Sequence, residues 1–215
     1  MICNPYYKKN AGEVLFDETK KEYEGTTLSD VDFTDMQLCG YAFSNCKFYG
    51  ASMSGLTTKS CQFINCNFSF TRMNESIHQY SAFINCEFNG ASLFSAVFNE
   101  CKCSGTSFAN ADLTGFALNG GNFSYTIFES CDCRKMNLRG IHFEHANFTN
   151  ANLEKSILCE CNLSEAVLRG ANLKDADLRD AKLDGVDMKS ILFKKTKIDL
   201  QQAVLIAEEM GCILE

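Results

Sequence analysis

Large apolar residues recur along this chain every five residues, and polar residues fill most of the space between them. In the stretch AVLRGANLKDADLRDAKL, Leu168, Leu173, Leu178 and Leu183 mark the period, and Ala166, Ala171, Ala176 and Ala181 sit two places before them. The register runs from Leu28 to Ile198 as thirty-five repeats without a slip, and only Thr58 and His78 among the central residues are not apolar. The position two before each centre is small except at Met36, Tyr41, Leu56, Phe116, Met136, Ile141 and Ile191. A period of five excludes both regular structures. On an α-helix each step turns the side chain through about 500°, so the centres scatter around the axis. On a continuous strand an odd step flips it to the opposite face. A short strand followed by a corner fits. Residues two apart share the inward side, and the corner resets the direction. Each repeat then gives one large and one small inward residue, and stacked coils bury a column of Phe and Leu. Burying one such side chain is worth roughly 1.5–3 kcal/mol, which offsets the ordering entropy of a chain with little other regular structure.

The motif A(N/D)LXX, written here as ANLKD, ADLRD, AKLDG, ANFTN and ANLEK, resembles that of the pentapeptide-repeat proteins over about residues 26–198. The resemblance implies an all-β solenoid: a right-handed quadrilateral β-helix with four repeats, twenty residues, per coil. Thr58 and His78 are twenty apart, as are Cys46, Cys66 and Cys86, so each set would stack on one side. About nine coils are expected, making a rod on the order of 40 Å long.

Both ends of such a stack need covering. Residues 1–25 are read as an N-terminal cap, with EVLF and Tyr23 as its apolar contacts. Residues 199–215 differ in kind. Asp199 suits a helix N-cap, Leu200, Ala203, Val204 and Ala207 share one helical face, Gly211 would end the helix, and CILE would form a short strand. Leu205, Ile206 and Met210 add more apolar surface than a cap needs. Leu200, Val204, Leu205, Ala207, Met210, Ile213 and Leu214 are therefore expected to join two rods end to end as a homodimer.

Composition narrows the chemistry. The net charge of −7 argues against a phosphate-binding surface, and hence against direct nucleic-acid binding. The acid is concentrated in residues 1–35 and after 199, while between Asp35 and Glu75 only Lys47, Lys59 and Arg72 are charged. No basic-apolar leader or membrane-length apolar run is visible, so the expected compartment is the cytosol. The thirteen Cys are then mostly reduced. Seven of them take the small inward position and Cys103 and Cys133 take centres, which marks them as core. The CxC pairs lack the usual zinc spacing. His78, between Ile77 and Tyr80, replaces a core centre. A bulge exposing its ring would make Ile77, His78, Tyr80 and Val97 a partner-contact patch. No catalytic triad or phosphate loop emerges, and a filled β-helix leaves no enzyme-sized pocket. The chain is read as a non-enzyme without metal or cofactor.

In length, near-total repeat content and helical tail, the chain is similar to the Qnr and MfpA-like branch of the family. That resemblance implies a homodimer that mimics B-form DNA, binds DNA gyrase and topoisomerase IV, and protects them from quinolones. Several Qnr proteins carry loops that break the register, whereas this chain keeps it throughout. The alternative is a non-enzymatic scaffold or regulator whose flat faces bind a different protein.

Overall fold

Each inward Phe or Leu needs a neighbour above and below it, and a twenty-residue pairing supplies both. The computed structural model describes residues 6–9, 13–29 and 31–213, with side chains between Phe16 and Ile213. Strands β1 (Tyr6–Lys9) and β2 (Glu13–Asp17) form an antiparallel hairpin. Phe16 from this hairpin is buried and stacks on Tyr23 at 5.3 Å, closing the first coil. The solenoid begins earlier than the sequence reading placed it. Strand β3 (Glu22–Glu24) already pairs in register with the coil above, Tyr23 opposite Phe43, so Tyr23 is a repeat centre as well as a cap contact.

The solenoid strands are β4 (Gln37–Cys39), β5 (Ala42–Ser44), β6 (Thr57–Lys59), β7 (Gln62–Ile64), β8 (Ile77–Gln79), β9 (Ala82–Ile84), β10 (Val97–Lys102) and β11 (Ala117–Asn122). All pair in parallel, each residue with the one twenty further on. Four ladders define four faces. The first runs upward from Gln37, the second from Glu22, the third from Thr27 and the fourth from Asp32. The strands proper, Glu22 to Asn122, span about five turns at the strand spacing of this register. Above them the register continues as single bridges up to Lys197, so the nine coils expected are not uniform.

The two regimes differ at the corners. On the third and fourth faces a backbone bond closes each corner, as from Ala51 N to Phe48 O at 2.9 Å. Gly50, at the third turn position, has φ 68°, the left-handed conformation of a type II turn. On the first two faces of the lower coils that bond is absent, and cysteine stands at most of the small positions, Cys46, Cys61, Cys66, Cys86 and Cys101. There the thiol serves the freed carbonyl of the coil below. Cys66 Sγ donates to Phe43 O at 3.4 Å, and Cys86 Sγ to Phe63 O at 3.3 Å. From Thr106 N to Cys103 O onward, backbone bonds close most corners, and three-residue strands give way to bridges.

Rings stack along the core at coil spacing: Phe48 on Phe68 at 4.7 Å, Phe68 on Phe88 at 4.9 Å. Cysteines at both inward positions are buried as read; of the described cysteines only Cys39 and Cys212 are exposed. One level of the stack is interrupted. The third ladder runs unbroken through Ser107, Ile127 and Asn147, and the second through Lys102, Asn122 and His142. The fourth stops at Asp112 and the first at Ala117, and both resume one coil higher, at Asp132 and Asn137.

The expected bulge at His78 is absent. Its strand pairs in register with Thr58 below and Phe98 above, and the ring is fully buried. The substitution is tolerated because Thr58, Ser76 and Ser81 surround it with hydroxyls. Nδ1 lies 2.8 Å from Thr58 Oγ1, and Nε2 lies 3.0 Å from Ser76 Oγ. Ser76 in turn donates to Met73 O. A neutral ring with its proton on Nε2, accepting from Thr58 at Nδ1, satisfies this chain. Burial without a counter-charge holds the imidazole pKa down at about 3.

The unfolded chain therefore binds a proton at His78 that the folded one refuses. Stability from this site is complete above about pH 6.5 and falls with decreasing pH until the folded pKa is reached. In urea melts the wild-type protein should lose about 2 kcal/mol from this site between pH 7.5 and 5.0. His78→Leu, which restores the pattern, should remove that part of the pH dependence. An equal pH dependence in both proteins would contradict the neutral buried ring.

Candidate functional site

The outward residues of each ladder and the two residues after each centre make up the surface. On the first face Ile77 and Val97 are adjacent rungs, with Ile77 and Tyr80 exposed and Val97 half-buried. Tyr80 sits on one edge of that face and exposed Phe94 on the other. Three of the four residues read as a contact patch thus meet at the surface, and the structure adds Phe94. His78 points into the core and leaves the patch. Exposed Tyr49 and Phe70 pack edge to face at 5.3 Å on the edge between the third and fourth faces. The exposed aromatics thus lie on different edges of the rod.

Charge in the upper half is segregated by the register. The edge between the fourth and first faces carries Arg134, Lys135, Lys155, Lys174, Lys194 and Lys195, against Glu154 and Asp175. Glu154 pairs with Lys174 at 2.8 Å and Lys155 at 3.5 Å, and Arg134 pairs with Asp132. The Lys174 ammonium holds the Glu154 carboxyl below its usual range, and the Arg134 guanidinium does the same to Asp132. The diagonally opposite edge, between the second and third faces, carries Glu144, Glu165 and Asp184 and no cation; its Tyr125 ring stacks on His145 at 4.7 Å. The net charge conceals this division.

Where the first and fourth ladders are interrupted, a cleft of about 740 Å³ opens. Leu113, Phe116 and Met136 form its floor, and Asp112, Asp132, Arg134 and Lys135 stand at its mouth. Phe116 and Met136 are two of the large residues that break the small-position rule, and they lie twenty apart. The sequence reading noted both and drew no cleft from them.

At the top, helix α1 (Leu200–Glu209) starts as the sequence indicates. The Asp199 carboxylate accepts from Gln202 N, while Gln202 Oε1 accepts from Asp199 N, a reciprocal capping box. Buried Gln202 also donates from Nε2 to Ala181 O at 2.8 Å and to Leu178 O, tying the helix to backbone carbonyls at the top of the solenoid. Leu205 and Ile206 pack on the core, and Ala207 is partly covered. Leu200, Val204, Met210 and Ile213 face solvent, Leu200 at 80% exposure. Leu205 and Ile206 are thus committed to the rod's own end, whereas Leu200, Val204, Met210 and Ile213 remain exposed. Gly211, at φ 84°, ends the helix, Cys212 and Ile213 form no strand, and Leu214 lies outside the described residues.

Thiol chemistry is suppressed by the same burial that builds the core. Loss of solvent pushes the Cys101 thiol up to about 12, and full enclosure holds the Cys103 and Cys133 thiols well above their usual value. Among the described residues no three His, Cys, Asp or Glu side chains converge as a metal site, and no helix is long and apolar enough to cross a membrane.

The family model for pentapeptide repeats matches residues 86–124, 126–164 and 158–189. No curated protein matches the chain in sequence. Among solved structures, a trypsin-treated variant of QnrB1, a plasmid-mediated fluoroquinolone resistance protein, aligns with 24% identity and a TM-score of 0.77, covering 90% of this chain and 97% of that one. Full-length QnrB1 aligns with 24% identity and a TM-score of 0.59, covering 88% and 97%. At this identity the likeness is one of fold, and it extends almost from end to end. With the unbroken five-residue register and the four twenty-residue ladders, the matches show pentapeptide repeats within residues 86–189 on the fold seen in QnrB1.

Proposed function

We propose that this chain is a DNA-mimicking protein that binds DNA gyrase or topoisomerase IV and protects it from quinolone-type inhibitors. It acts in the cytoplasm as a homodimer and uses neither catalysis nor a cofactor. The observation that carries this reading is the shared fold with QnrB1 over nearly the whole of both chains. Two features support it. The edge bearing Glu144, Glu165 and Asp184 offers one carboxylate per coil, about 4.8 Å apart, against one phosphate per ~3.4 Å on a DNA strand. The outward Leu200, Val204 and Met210 give the helix an apolar side that a second copy would cover.

The test is a supercoiling assay with purified gyrase, run with and without a quinolone. Gyrase should keep more activity under the drug when the protein is present. No effect in either arm would remove this reading. Within the assay, Glu144→Lys, Glu165→Lys and Asp184→Lys together should weaken protection about tenfold or more, as expected when several interfacial charges are reversed. Charge reversal of Lys194 and Lys195 on the opposite edge should leave protection unchanged. In sedimentation, Leu200→Asp with Val204→Asp should convert a dimer to a monomer of unchanged fold. A wild-type monomer at assay concentration would exclude the end-to-end dimer.

A second reading, a scaffold for another protein, is favoured by the apolar rungs Ile77 and Val97 beside Phe94 and Tyr80, which have no counterpart on DNA. Ile77→Lys with Val97→Lys should abolish capture of such a partner and leave gyrase protection intact.

A further inference from the structure

The cleft is unfinished sheet. In the coils just below and above, the N–H of a fourth-face centre donates to the next coil, as Leu93 N does to Asp112 O and Cys133 N to Asn152 O, both at 2.9 Å. At the interruption the equivalent bonds, Leu113 N to Asp132 O and Leu118 N to Asn137 O, are not made. The return bonds from Asp132 N to Ala111 O and from Asn137 N to Phe116 O are missing as well. Two rows of backbone donors and acceptors therefore face each other across the opening. The second and third faces stay bonded at this level, so the coils are wedged open along one side only. Met36 and Leu56, stacked in the same column lower down, leave their ladders intact, and at this level the column holds the larger Phe116 with Met136. Phe116 and Met136 occupy stacked positions where most repeats place Ala, Cys, Ser or Thr, and Phe116 is fixed against Phe98 at 5.2 Å. The volume, about 740 Å³, lies within the ~300–1,000 Å³ of ligand-binding clefts.

We propose that this cleft binds an extended, acidic peptide segment of a partner protein, whose backbone pairs with the two open edges and completes the interrupted ladders. An unpaired strand edge is a template for another strand, and here two edges face one occupant. The pleat sets the side-chain pattern. Alternate residues point toward Leu113, Phe116 and Met136, which selects small apolar groups. The residues between point outward toward Arg134 and Lys135 at the cleft mouth, the start of an edge whose cations outnumber its acids up to Lys194 and Lys195 three coils higher. Lys135, Lys194 and Lys195 have no ion-pair partner among the described residues. That charge selects acid. This surface lies diagonally across the rod from Glu144, Glu165 and Asp184, so the inference does not depend on the topoisomerase reading.

The probe is a fluorescein-labelled peptide of alternating Asp and Val, seven residues long, titrated against the full chain by fluorescence anisotropy. Three controls accompany it: the same peptide N-methylated at alternate amides, a Lys–Val peptide, and single-stranded oligothymidylate. In hydrogen exchange of the free protein, the amides of Leu113, Leu118, Asp132 and Asn137 should exchange at least about a hundredfold faster than those of Leu93 and Asn152, and bound peptide should protect them. The N-methylated and Lys–Val peptides should bind about tenfold more weakly or worse, and oligothymidylate should not compete. Phe116→Ala with Met136→Ala should close the opening, protect the four amides without ligand and abolish binding. Lys135→Glu with Lys194→Glu and Lys195→Glu should weaken binding and leave the exchange rates of the free protein unchanged. Slow exchange at the four amides of the free wild-type protein would overturn the proposal. So would equal binding of the N-methylated peptide, displacement by the oligonucleotide, or no binding of the Asp–Val peptide at ~1 mM, the weak end of specific recognition.

Discussion

Coil height is the quantity on which this structure depends. No coil is stable alone, because its backbone groups along each face find partners only in the coils above and below. Those bonds form at a rise of roughly 4.7–4.9 Å, and the inward side chains must pack at the same rise. Aromatic rings meet that condition, as the spacings of Phe48, Phe68 and Phe88 show. The small inward residue matters equally, since it sets how closely two coils approach at a corner. At the level of Phe116 and Met136 the hydrogen bonds of the two adjoining faces are not made, while those of the other two faces are.

Most of the fold was legible in the five-residue period because it is a packing rule, and packing rules survive without knowledge of neighbours. The coil length came with the family resemblance, and Thr58 and His78 standing twenty apart agreed with it. What they do was not. Their spacing showed that they stack, but only coordinates showed Ser76 and Ser81 closing a hydroxyl chain around a buried ring. The helix was legible in its cap at Asp199 and its stop at Gly211. Its orientation was not, because Gln202, a polar residue, is the one that turns inward to meet the carbonyls of Leu178 and Ala181. The two kinds of corner also escaped the sequence reading. Cysteine at the small position looked like a generic small residue, and its thiol hydrogen bonds depend on carbonyls more than twenty residues away.

The surface follows from the same geometry. Residues twenty apart fall on one line, so a modest bias at two positions of the repeat becomes a charged edge. Glu144, Glu165 and Asp184 line one edge, and Lys135, Lys155 and Lys195 the opposite one, in a region whose total charge is nearly balanced. A rod of this kind can present opposite faces to different partners with no change in its core.

The interruption also has a mechanical meaning. Two ladders cross that level and two do not, so the halves of the rod are joined along one side, like a book along its spine. Bending that widens or narrows the opening breaks no inter-coil hydrogen bond, whereas bending in any other direction does. The rod's compliance is thus directional and concentrated at a single level. In a stack whose cooperativity comes only from contacts between neighbouring coils, that level is also where the lower and upper halves are least able to hold each other folded.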